Sequence, residues 1–165
     1  MEFQMLSVLR AAHILAAALW VGAGALLTLY IMPSIRSAGA AGGAVIAESM
    51  RRGLGIFMAS SAGTTILSGL LLYWIWFAAR GAGASFGAGG IMLLIGALAG
   101  VAAAIMGGAI LSRTSAELAQ LAGAPAGEAT QARIAALHER GATVSKIVLT
   151  LLIGGLLLMV FSRSF

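Results

Sequence analysis

The chain has no cysteine among its 165 residues. That excludes disulfides, thiolate metal sites, cysteine-ligated iron–sulfur clusters and cysteine nucleophiles. Charge is also scarce: Asp, Glu, Lys and Arg make up 9% of the residues, against about 25% in a soluble domain. The five acidic residues all lie outside the long apolar runs, so a carboxylate proton relay or a carboxylate ion pump finds no support. The formal charge is +5, but the bases are scattered rather than gathered on a stripe, which argues against a nucleic-acid partner. Phosphate-loop, nucleophile-elbow, HExxH and dinucleotide-binding patterns are missing as well. A non-enzymatic role is the expectation.

What the chain has in abundance is apolar surface. Hydrophobic residues make up 61% of it. Four runs, at residues 11–32, 53–79, 89–111 and 141–161, are long enough to cross hydrocarbon; Lys146 is the single charge among them. A bilayer core of about 30 Å needs roughly 20 apolar residues at 1.5 Å rise. Hydrocarbon offers the backbone no hydrogen-bond partner, so each run must be a helix. The expected fold is therefore all-α. It is a polytopic membrane protein, a four-transmembrane-helix bundle built from two helical hairpins in one domain, with the lipid bilayer as its first partner. The apolar run after Arg10 exceeds twenty residues, too long for a signal peptide of about 7–15, so it reads as a retained helix.

The pattern predicts helices over about 5–36, 44–79, 91–121 and 128–162. Pro33 falls near the end of the first, where a kink is cheap. A small-residue turn is expected over 37–43, a glycine-rich loop over 80–90 and a break over 123–127. Helices three and four outrun a bilayer and suggest a protruding hairpin with an apolar seam. Arg52-Gly53 and Arg140-Gly141, each before a later helix, hint at a repeat. Arg36, Arg51, Arg52, Arg113, Arg133, Arg140 and Lys146 fall at one end of the bundle, and Arg10, Arg80 and Arg163 at the other. The positive-inside rule then places the 1–2 and 3–4 connections in the cytoplasm and both termini in the periplasm. Tyr73, Trp74 and Trp76 suit an outer aromatic belt.

Gly96, Gly100, Ala104 and Gly108 recur every four residues and form a small-residue face for close helix packing, within the chain or with a partner. Ser60, Thr64 and Ser68 share a face of helix two, where hydroxyls bond to their own helix or across an interface. His13 lies about two turns into helix one. An ionisable residue inside a span is a candidate functional group, and neutral imidazole ligates heme iron or copper. The other reading is a histidine bonded to a helix-two hydroxyl or to water. His138 precedes helix four and should be most of a bilayer from His13, so the two do not form one axial pair. Lys146 either snorkels to the interface or meets a propionate of a bound heme.

The stretch Arg10-Ala-Ala-His13-Ile-Leu-Ala-Ala-Ala-Leu-Trp20-Val-Gly22, with Pro33, Arg51-Arg52 and Ile66-Leu67-Ser68-Gly69-Leu70, resembles CopD-type copper-resistance domains and HemJ-like small bacterial membrane proteins. The resemblance spans about residues 8–75. It implies a helical bundle in the bacterial inner membrane. It also implies heme b or copper handling, with His13 as ligand. The competing expectation is a non-catalytic accessory subunit, packed through its small-residue faces against a second copy or a larger membrane complex.

Overall fold

A computed structural model describes residues 2–121 and 127–164. Nearly all of them are helical, and none is in a strand. The chain begins with α1 (Glu2–Leu26), passes through a π-helical turn (Leu27–Ile31) and continues as α2 (Met32–Ser37). Pro33 accounts for the turn. Proline has no N–H, and its ring crowds the carbonyl four residues back. The backbone widens there instead of breaking: Met32 N–H reaches the Leu27 carbonyl, five residues back.

Gly39 (φ 59°) turns the chain into α3 (Ala40–Arg51), which packs on α2. A side chain at Gly42 would run into the Ile35 backbone, so glycine permits that approach. Gly53 (φ 96°) then separates α3 from α4 (Leu54–Ser85). The single helix expected over 44–79 is thus two, because Gly53 takes a left-handed conformation that a side chain disfavours. Gly141 lies inside a helix, so the two Arg-Gly pairs have unlike backbones.

The loop expected over 80–90 is mostly helical. α4 runs to Ser85 with one non-helical residue, Gly81 (φ 74°, ψ 177°). After Gly87 comes α5 (Ala88–Ile105), then a π-helical turn (Met106–Leu111) and α6 (Ser112–Leu121). This second π turn holds Gly107 and Gly108, and Ser112 Oγ donates to the Gly108 carbonyl. Glycine with serine back-bonding is a recognised cause of such bends. The break expected over 123–127 lies outside the described residues except for Gly127, whose extended backbone precedes α7 (Glu128–Phe161). A 3₁₀ turn, Ser162–Ser164, follows.

Among the described residues, four helices are long and apolar enough to cross a bilayer: Gln4–Ser37, Leu54–Gly81, Ala88–Leu121 and Glu128–Ser164. A 34-residue span is about 51 Å long at 1.5 Å per residue, well beyond the hydrocarbon. The overhanging ends carry the ion pairs. Glu48 pairs with Arg51 and Arg52 in α3 and α3's C-terminal cap, and Arg133 of α7 pairs with Glu117 of α6. Such exposed pairs each stabilise by about 0–1 kcal/mol.

α1 packs chiefly against α4, and α5 against α7; α4 also meets α5, and α1 meets α7. The core is thin: Trp20, Ala103 and Leu152, with Ala103 fully buried. Large apolar side chains such as Ile56 (77% exposed) and Leu67 (71%) face outward. Water would penalise so much apolar surface, whereas lipid tails do not. The tightest crossing pairs Gly96 of α5 with Gly155 of α7. A methyl group on Gly96 would stand 2.9 Å from the Gly155 carbonyl oxygen, and one on Gly155 would stand 3.1 Å from the Gly96 oxygen.

The small-residue face is therefore divided. Gly96 makes the crossing and Ala104 packs on the core cluster. Gly100 opens onto a cavity, and Gly108 is exposed with nothing near it. Ser60 Oγ donates to the Phe57 carbonyl at 3.1 Å, and Ser68 Oγ to the Thr64 carbonyl. Thr64 is exposed. Gly96→Ala should thus lower thermal stability in detergent by about 1–3 kcal/mol, the usual cost of overpacking. Gly100→Ala should be neutral or stabilise by up to about 1 kcal/mol through helix propensity. Equal melting temperatures for the two variants would contradict this crossing.

Candidate functional site

His13 projects from α1 onto α4. Its Nδ1 lies 2.9 Å from the Thr65 carbonyl oxygen and 3.2 Å from Ser68 Oγ. A carbonyl only accepts, so Nδ1 carries the proton and donates. The Ser68 hydroxyl spends its own proton on the Thr64 carbonyl, which leaves its oxygen to accept from Nδ1–H. In the neutral ring the lone pair then sits on Nε2. Nε2 has no hydrogen bond among the described residues. No fully buried side-chain nitrogen or oxygen there lacks a partner, so Nε2 is accessible rather than sealed in.

Gly69 makes this arrangement possible. It follows Thr65 by one helical turn, above the carbonyl that His13 uses. A methyl group at Gly69 would stand 2.8 Å from His13 Cε1 and 3.2 Å from Nδ1. Sequence inspection places Ser68-Gly69 among the family-like residues but gives no hint that Gly69 seats the imidazole. That contact joins residues 56 positions apart.

His13 lines an open-sided cavity of about 1300 Å³ to which all four spans contribute walls. Ala17 and Trp20 share its α1 wall, Thr65 and Gly69 come from α4, Gly96 and Gly100 from α5, and Leu152 and Met159 from α7. Trp20 is 5% exposed and closes the deep side against Leu152. Arg10, Arg80 and Arg163 line the other end. The Arg80 guanidinium lies 5.6 Å from the Trp76 ring centre, a cation–π contact, and Trp76 lies 5.8 Å from Tyr73.

The other titratable candidates lie elsewhere. His138 is on the part of α7 that precedes the apolar run and does not line the cavity. Burial, and then the nearby Arg36 guanidinium, hold its pKa below the ordinary histidine value. Lys146 is exposed and also off the cavity wall. Leu151 is the first α7 residue on that wall, about 7.5 Å along the axis at 1.5 Å per residue. The pairing of Lys146 with a ligand at His13 is therefore not brought together. Met159 is brought there, although no spacing marks it out in the sequence. Among the described residues no group of three or more His, Cys, Asp and Glu gathers as a metal site.

Comparison with protein-family models, with curated proteins and with solved structures finds no match to this chain. The chemistry of the site rests on its geometry.

Gly69→Ala should displace the imidazole from the Thr65 carbonyl and cost about 1–3 kcal/mol of stability. Ser68→Ala keeps the carbonyl bond and should cost about 1 kcal/mol or less. Thermal unfolding in detergent checks the order; a larger loss in Ser68→Ala would contradict the carbonyl as the main partner.

Proposed function

We propose that the chain is a multi-pass protein of the bacterial inner membrane that binds heme b in this cavity through His13 Nε2. One observation carries the reading. Nδ1–H is committed to a backbone carbonyl, and the opposite nitrogen is left accessible at the wall of a large cavity. Metal-ligating histidines characteristically donate their other N–H to a carbonyl or carboxylate, which fixes the tautomer and the ring plane.

The residues fit the group. Drug-sized ligands occupy about 300–1,000 Å³, so a porphyrin fits a space of about 1300 Å³. Trp20, Leu152 and the glycine-lined α5 wall give an apolar, water-poor surround. Met159 contributes a thioether, a donor type that serves heme iron beside histidine. Bound heme supplies one-electron chemistry or an open iron position. The chain's part is to hold the iron through His13, to orient that ring through Thr65 and Gly69, and to exclude water. Copper fits less well, since it prefers several convergent donors. The likeness of the first helix to CopD-type and HemJ-like proteins supports the same ligand.

The proposed topology is two antiparallel hairpins, α1–α2 with α3–α4 and α5–α6 with α7. Both termini are periplasmic, and Arg36, Arg51, Arg52, Arg113, Arg133, Arg140 and Lys146 face the cytoplasm. A second reading, a non-catalytic accessory subunit, is favoured by Gly108. It ends the small-residue face exposed, with open space beside it that a partner helix would fill.

Visible spectra of the detergent-purified protein, oxidised and reduced, test the proposal. Wild type and His138→Ala should show a Soret band. His13→Ala should lower heme per protein by about tenfold or more. A colourless wild type from heme-replete cells, copurifying with a stoichiometric partner, contradicts heme binding and supports the accessory reading.

A further inference from the structure

The end of the cavity away from Trp20 is positively charged on three sides. Arg10 comes from α1, Arg80 from α4 and Arg163 from the closing 3₁₀ turn, residues 153 positions apart in sequence at the extremes. All three are exposed. Among the residues whose side chains are described, no carboxylate lines the cavity, and the ion pairs formed there involve Glu48 and Glu117, away from this rim. Three guanidiniums on one rim make the local potential positive, which favours an anion there. Arg80 is also held in place, stacked over Trp76, itself backed by Tyr73. A planar guanidinium fork matches carboxylate and phosphate oxygens.

We infer that Arg10, Arg80 and Arg163 form an anion-binding mouth, so the cavity takes an amphiphile with an anionic head and an apolar or aromatic body. The head sits at the arginines, and the body extends past His13 toward Trp20 and Leu152. Two sources share this chemistry: the carboxylates of a porphyrin and the phosphate of an acidic lipid. The inference rests on the same cavity as the heme reading but not on an iron ligand.

The experiment uses iron-free protoporphyrin IX and its dimethyl ester, in which methyl esters replace the two carboxylate charges. Binding to the full-length, delipidated protein is read by porphyrin fluorescence. Wild type should prefer the free acid by about tenfold or more, as expected for lost charge-assisted bonds. Arg10→Gln/Arg163→Gln should bind both forms alike, and His13→Ala should keep the preference. In a second arm, nanodiscs of mixed phosphatidylglycerol and phosphatidylcholine report which lipid stays with the protein on extraction. Retention of phosphatidylglycerol without porphyrin binding, lost in the double variant, supports the mouth with lipid phosphate as its ligand and removes the heme reading. Should the double variant fold poorly, salt serves instead: raising it from about 0.05 to 0.5 M should erase most of the wild-type preference at an exposed rim. A wild type indifferent to charge in both arms, or a preference that survives in a folded double variant, overturns the inference.

Discussion

Hydrocarbon cannot hydrogen-bond a backbone, and the rest of the architecture follows from that constraint. A span must satisfy its own N–H and C=O groups, so helix is forced wherever the chain is apolar. The same rule governs the polar side chains. Ser60, Ser68, Thr65, Thr114, Thr150 and Ser162 all donate back to carbonyls three or four residues earlier in their own span. Even His13 finds its partner in a helical carbonyl, whose second lone pair remains available beside the helix. The carbonyl is reachable because Gly69 leaves its flank bare.

Glycine also sets how closely the helices approach. The Gly96–Gly155 crossing brings two backbones nearly into contact. Beside it, Gly100 has no neighbour to fill the gap, and the four spans part around a cavity. Close packing at one point and open space at the next are two uses of one small-residue face. The two π turns lie in the first and third spans at the end remote from the arginine rim, and both touch α7. The fold thus separates an ion-paired end from a cavity-bearing end with arginines on its rim.

Much of this was legible in the sequence, and the boundaries of legibility are physical. Hydropathy marks four helices because burial in oil acts on every residue of a span. The ends at Ser37 and Phe161 follow closely from the pattern. The break at Gly53 and the helical continuation past Arg80 do not, because each depends on one glycine's φ rather than on composition. His13 stood out as an ionisable residue among apolar ones. Its Thr65 partner did not, since a backbone carbonyl has no side-chain signature. Arg10, Arg80 and Arg163 were assigned to one end by alternation of the spans, yet their meeting on one cavity required the helices to be assembled. Met159 lines the cavity and Lys146 falls short of it, because their heights along α7 differ.

Because the chain lacks cysteine, single cysteines can report its path through the membrane directly. Cysteines placed at Ser7, Ser37, Gly127 and Ser164 are labelled in intact cells with a membrane-impermeant maleimide, before and after permeabilisation. Four crossings put Ser7→Cys and Ser164→Cys on one side and Ser37→Cys and Gly127→Cys on the other; in the proposed orientation the first pair reacts from outside and the second only once the membrane is opened. Labelling of all four from the same side, or recovery of the folded chain in a detergent-free aqueous extract, would contradict the account.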